Sequence, residues 1–99
     1  MAKKARKIGI GIIGTGGIAQ NAHMPGYAAI PDLCEIVAAC DINEKTLKEA
    51  AAKFGVKNTF TDYRKLIEME EVDAISVCTP NYAHMEPTVL ALKAGKHVL

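Results

Sequence analysis

The sequence predicts an α/β fold: a doubly wound parallel sheet of about five strands, with helices on both faces and an incomplete C-terminal side. Three observations predict it. Short runs that are apolar at nearly every position, namely "IGIGII" from Ile8, "CEIVAACD" from Cys34 and "VDAISVCT" from Val72, have the character of strands covered on both faces. Segments with helical spacing of apolar residues separate those runs. Five of the eight glycines fall between Ile8 and Ala19, within and directly behind the first run.

In the first strand, alternation puts Ile8, Ile10 and Ile12 on one face and Gly9, Gly11 and Ile13 on the other. The glycine face is expected to let a crossover helix pack close. A helix should begin near Gly17 and run through "IAQNAHMPGYAAI", bent or interrupted around Pro25 and Gly26. The second strand ends in an acid, Asp41. Asn43 then caps "EKTLKEAAAKF", whose stripe is Leu47, Ala50, Ala51 and Phe54 and whose stop is Gly55. "NTF" is a short strand. Thr61 is the expected cap of a helix around "DYRKLIEM", with Tyr63, Leu66 and Ile67 inward. The strand from Val72 is closed by Pro80. A helix starting no earlier than His84, with Pro87 in its first turn, carries Val89, Leu90, Leu92 and Ala94 as its apolar residues, and Gly95 ends it. "HVL" opens one more strand. Residues 1–7 form a basic tail and 8–99 a single domain, without repeats or internal linkers.

Composition narrows the function classes. At 99 residues, 49% hydrophobic and 23% charged, the chain has the makeup of a globular domain with one core. Its net charge of +1 argues against a nucleic-acid partner, and "KKARK" (Lys3 to Lys7) is the one basic cluster, read as a solvated tail. No stretch approaches a membrane span, and Ile8–Ile13 is too short and glycine-rich for a signal peptide, so a cytoplasmic location is expected. Cys34, Cys40 and Cys78 are odd in number and lack C-x-x-C spacing; they are expected to be buried, reduced thiols. His23, His84 and His97 show no zinc-type spacing, so no metal site is expected.

The chemistry centres on Gly14-Thr15-Gly16-Gly17-Ile18-Ala19, which matches G-x-G-x-x-G/A between a strand and a helix. Gly14 suits the tight turn, Gly16 lets a pyrophosphate approach the backbone, and Ala19 permits close helix–strand packing. The helix N-terminus beyond supplies N–H groups and a positive dipole end to phosphates. Asp41 ends the next strand at the position from which an acid accepts hydrogen bonds from the adenosine ribose and repels a 2′-phosphate. Ile42 and Asn43 follow it, with no basic residue before Lys45, which favours NAD over NADP. This is the pattern of a Rossmann-type dinucleotide domain. The absence of G-K-[ST] excludes a Walker-type loop; a flavin-binding domain, with nearly the same loop, stays open.

"GIIGTGGIAQNAHMP", then "AACD", then "VCTPNYAHMEPTVLALKAGKHVL" together resemble the Gfo/Idh/MocA family of sugar and inositol dehydrogenases, over about Ile8 to Leu99. The T-P-N-x-x-H stretch and the A-G-K-H-V ending discriminate far better than the glycine loop. The resemblance implies that Thr79, Pro80 and Asn81 lie beside the cofactor's diphosphate and nicotinamide ribose, with His84 near the same crevice. A plain first-turn helix residue is the equal alternative for His84. His23 matches an H-x-P of the first helix and is taken as structural, and Lys96 as a solvated turn residue.

By the same resemblance, family members continue past "GKHVL" with a Glu-Lys-Pro motif whose lysine contacts the reacting hydroxyl, followed by a larger substrate domain. The expectations that follow are a hydride-transferring dehydrogenase of a sugar, inositol or related polyol for the parent protein, and an inactive 99-residue piece with no catalytic residue of its own. The alternative is a non-catalytic, redox-sensing dinucleotide module. A short strand left at the sheet edge suggests a homodimer through that edge.

Overall fold

The computed structural model describes residues 7–80 and 83–99. The elements follow the order β1 (Ile8–Ile13), a π-helical segment (Ala19–His23) continuing into α1 (Met24–Ala28), β2 (Cys34–Cys40), α2 (Glu44–Phe54), β3 (Asn58–Phe60), α3 (Tyr63–Ile67), β4 (Ala74–Val77), α4 (Met85–Lys93) and β5 (His97–Val98). All neighbouring strands pair in parallel, in the order β3-β2-β1-β4-β5. The chain therefore winds outward from β1 to β3, crosses back, and winds the other way through β4 and β5. The crevice beyond the C-terminal ends of β1 and β4 is the topological switch point, where sheets of this kind bind ligands.

Two hydrophobic clusters sandwich the sheet. Ile10, Ile12, Met24, Leu47 and Ala50 form one, under the first helix and α2. Ile13, Leu66, Ile67, Val72, Ile75 and Ala91 form the other, under α3 and α4. The expected doubly wound architecture is thus observed, and β1 divides its faces as alternation predicts. Ser76, fully buried in β4, shares a hydrogen bond with the Tyr27 hydroxyl, so its polar group enters the core paired.

The glycine face of β1 has two different neighbours. A β-carbon on Gly11 would lie 2.7 Å from Leu66 Cδ2, so α3 does pack close there. At Gly9 the neighbour is a turn: a β-carbon would lie 1.8 Å from the Glu71 carbonyl oxygen. The crossover helix is only half of what these glycines admit.

One local detail refines the sequence reading and three differ from it. The first helix is bent as expected, through a π turn in which Met24 N–H donates to the Ala19 carbonyl. Pro25 follows at once. It has no N–H to give and its ring crowds the carbonyl four residues back, and the wider turn gives that carbonyl room. The α3 cap is Asp62, whose carboxylate accepts from Arg64 N–H at 2.9 Å; Thr61 sits one residue too early. In β2 the pairing slips by one residue, since Ile10 faces Ile36 while Gly11 faces Ala38. Val37 and Ala38 consequently pack toward the same cluster, which simple alternation forbids. On α4, Pro87 and Ala91 are buried, whereas Val89 and Leu92 point outward at 41% and 58% exposure.

Candidate functional site

The site grows from the end of β1. Gly14 adopts φ +97°, and a β-carbon there would stand 2.8 Å from both the carbonyl carbon of Cys78 and the amide nitrogen of Thr79. Only glycine makes this turn. Its N–H donates to the Cys40 carbonyl at 2.8 Å, and Cys78 N–H donates to Ile13 at 2.7 Å, so the ends of β1, β2 and β4 are tied together. Thr15 follows, fully buried. Its N–H and its hydroxyl both donate to Asp41 Oδ2, at 2.8 and 2.9 Å, and its carbonyl accepts from Gln20 Nε2 at 2.8 Å. Gly16 has open space where a side chain would be, and Gly17 starts the helix with only Asn21 Nδ2 near, at 3.8 Å. The first N–H groups of that helix have no partner within it.

Gly14, Gly16 and Gly17 line a cleft of about 680 Å³. Gly16, Gly17 and Ile18 form one wall; Asp41 and Ile42 stand on the β2 side; Thr79 and Pro80 stand on the β4 side. Ile18 and Ile42 are 57% and 89% exposed, leaving aliphatic surface at the mouth. The floor includes Cys40 and Cys78. Burial, with some help from the Asp41 and Asp62 charges, pushes the Cys40 thiol up to about 12, and burial alone pushes Cys78 to about 11. Both are neutral near pH 7. Among the described lining residues Asp41 is the only carboxylate, and there is no lysine or arginine. An anionic ligand is therefore met by neutral donors, and an open Gly16 beside a helix start provides backbone N–H groups for it. The residues fit a dinucleotide.

The model of an oxidoreductase family with an NAD-binding Rossmann fold, Gfo/Idh/MocA, matches residues 8–99. The chain belongs to the Gfo/Idh/MocA family. The D-glucoside 3-dehydrogenase of Escherichia coli (strain K12) is 37% identical to it over 90 residues, which make up 91% of this chain and 25% of that protein. Among solved structures, the WlbA dehydrogenase of Bordetella pertussis, in complex with NADH and UDP-GlcNAcA, superposes with a TM-score of 0.85 at 32% identity, over 94% of this chain and 28% of that one. KijD10, a 3-ketoreductase from Actinomadura kijaniata in complex with NADP, gives a TM-score of 0.86 at 35% identity, over 95% and 29%. The chain spans about a quarter of the length of the relatives it matches. Among its described residues, no helix is long and apolar enough to cross a membrane, and no three His, Cys, Asp or Glu side chains gather as a metal site.

Within this Gfo/Idh/MocA domain most of the residues singled out from sequence converge on the cleft: Gly14, Gly16, Gly17, Ile18, Asp41, Ile42, Thr79 and Pro80 all line it. Thr15 does not. Its side chain is turned inward by Asp41, which leaves it no exposed atom to offer. His84 is half-buried at the start of α4, where its carbonyl accepts from Thr88 N–H, and it does not line the cleft. Asn81 lies outside the described residues, as does the basic tail up to residue 6. Lys96 is tied down: its Nζ donates to the Met69 carbonyl at 2.8 Å. Thr79 also holds its own loop, its hydroxyl donating to the Ala83 carbonyl at 3.1 Å.

Sequence reasoning missed Gln20, Thr61 and Tyr63 as parts of this site. Thr61 and Tyr63 line the cleft beyond the end of β3, and Tyr63 donates its hydroxyl to Glu86, which also pairs with Arg64 at 3.3 Å. Their signal was available. In an all-parallel sheet, every residue just after a strand lies at the ligand end.

Proposed function

We propose that this chain binds NAD in preference to NADP, as the cofactor domain of a dehydrogenase acting on a sugar, inositol or related polyol. One observation carries the cofactor preference: the cleft's described lining holds the Asp41 carboxylate and no cation, so an added 2′-phosphate meets a negative charge that no lining cation offsets. Gly16, Gly17 and the first helical N–H groups hold the diphosphate. Asp41 accepts from an adenosine ribose hydroxyl, and Ile18 and Ile42 cover apolar ring and ribose surface. Thr79 and Pro80 stand on the nicotinamide side, and Asn81 and His84 follow them in the chain. When bound, the nicotinamide would supply a hydride acceptor for a hydroxyl-bearing carbon, or a hydride donor for the corresponding carbonyl carbon.

The substrate class is supported by the relatives' names, a D-glucoside dehydrogenase among them. Neither thiol lining the described cleft is a proton shuttle near neutrality, since burial holds both far above it. The 99-residue chain accordingly binds cofactor without turning over a polyol. Isothermal titration with NADH and NADPH tests the reading. NADH is expected to bind saturably and at least about tenfold more tightly than NADPH. Tighter NADPH binding overturns the role given to Asp41, and no binding of either overturns the cofactor reading. Reduction of NAD by the purified chain with a common polyol overturns its inactivity.

We also propose that two copies pair through β5, which lies at an edge of the sheet. Sedimentation at increasing concentration should show a dimer; a monomer at every concentration overturns this.

A further inference from the structure

We propose that Thr15 is a positioning residue that joins the ribose-reading and diphosphate-binding parts of the site into one unit, by holding the Asp41 carboxylate against the glycine-rich loop. The inference rests on the cofactor reading above. A carboxylate offers about four acceptor positions. Three of Asp41's are already used: Oδ2 accepts the N–H and the hydroxyl of Thr15, at 2.8 and 2.9 Å, and Oδ1 accepts Asn43 N–H at 2.9 Å. About one position, on Oδ1, is left for a ligand. Asp41 therefore meets one ribose hydroxyl, and a second can be met only by giving up a contact to Thr15 or Asn43.

The same contact shapes the loop. Thr15 stands between Gly14, which makes the turn, and Gly16, which faces the open cleft. Its three polar groups are all anchored, the N–H and hydroxyl on Asp41 and the carbonyl on Gln20 Nε2. With its side chain fully buried, Thr15 has no freedom to present the following N–H groups in another direction. An acid placed to read the ribose thus also sets the backbone that meets the diphosphate. Replacing Asp41 to admit NADP removes the loop's anchor along with the charge.

A double-substitution cycle titrated with NADH tests this. Thr15→Val keeps the shape and the N–H but deletes the hydroxyl, and is expected to weaken NADH binding roughly tenfold. Thr15→Ser keeps the hydroxyl and should stay within about twofold of the unsubstituted chain. Asp41→Ala should weaken binding at least as much as Thr15→Val. The combined variant should bind about as weakly as Asp41→Ala alone, because without the carboxylate the hydroxyl has nothing to hold. Thr15→Ala replaces Thr15→Val if the latter does not fold, with the same expected loss. Thermal midpoints of the Val and Ser variants are measured beside the titrations, and an affinity loss that follows the midpoint across both overturns the proposal. So do losses that multiply independently, a Ser variant as weak as the Val variant, and Val binding within twofold of the original. Failure of the unsubstituted chain to bind NADH is a separate outcome, which overturns the cofactor reading and this proposal together.

Discussion

Gly14 and Cys78, at the ends of two neighbouring strands, are in such close backbone contact that a β-carbon on Gly14 would stand 2.8 Å from the Cys78 carbonyl carbon. Because φ at Gly14 is +97°, an L side chain is strained there even before the clash. Gly14→Ala is expected to destabilise the fold by about 2 kcal/mol or more, read as a lower urea midpoint.

Gly16→Ala provides the contrast. Nothing lies within 4 Å of the position a β-carbon would take, so stability should change by less than about 1 kcal/mol. NADH affinity should nevertheless drop at least about tenfold, because the methyl group occupies the diphosphate's approach. Unchanged affinity would remove Gly16 from the binding surface.

Gly11 and Leu66 are expected to be coupled. A β-carbon on Gly11 meets Leu66 Cδ2 at 2.7 Å and Val72 Cγ1 at 3.2 Å, so Gly11→Ala should lower stability by about 1–3 kcal/mol. Leu66→Ala, at a fully buried position, should lower it by about 2–5 kcal/mol. The double variant should be more stable than the two losses combined imply, by at least about 0.5 kcal/mol, since the smaller side chain vacates the contested space. Strict additivity in urea titrations would refute the close packing of α3 on β1.

The thiols set a pH response. Cys40 and Cys78 are raised from 9.0 to about 12 and about 11, largely by burial. Well below pH 9 they are protonated in both folded and unfolded chains. Above it the unfolded chain loses protons that the folded chain keeps, so stability falls as pH rises through 9 to 11, by less than about 1.4 kcal/mol per pH unit for each thiol. Tyr63, raised from 10.0 chiefly by its hydrogen bond to Glu86, acts in the same direction at the upper end. Urea midpoints at pH 8 and pH 9.8 should differ less for Cys40→Ala/Cys78→Ala than for the original chain. An equal difference would mean the thiols do not contribute.

Asn43 caps α2 by accepting Thr46 N–H at 3.1 Å, and Asn43→Ala should cost about 1 kcal/mol. Asn43→Asp, which restores the acceptor, should recover most of that.

Much of this protein was legible because the relevant forces are local. The five strands, the glycine turn, the Asn43 and Gly55 caps and the acid at the end of β2 are each announced by residues within a few positions of one another. The stretch T-P-N-x-x-H carries the family resemblance in the sequence alone, and the cleft collects Gly14, Gly16 and Gly17 together with Asp41, Thr79 and Pro80. The α3 cap was missed by one residue because Thr61 and Asp62 are both good caps, and only the backbone direction leaving β3 selects between them.

The sequence by itself determined which segments become strands and helices, their parallel winding and the chemistry available at the switch point, since periodicity and turn residues act over a few bonds. Tertiary structure decided what no local pattern contains. It slipped β2 by one residue against β1, sending Val37 and Ala38 to one face. It set the Glu71 carbonyl, from the turn after α3, against Gly9, and turned Val89 and Leu92 away from the core. It also bound Asp41 to Thr15, a partner 26 positions away, so that an acid expected to serve only the ligand serves the loop as well. The reason is common to all four: each depends on which surfaces meet once the sheet has closed, and those contacts join residues far apart in the chain.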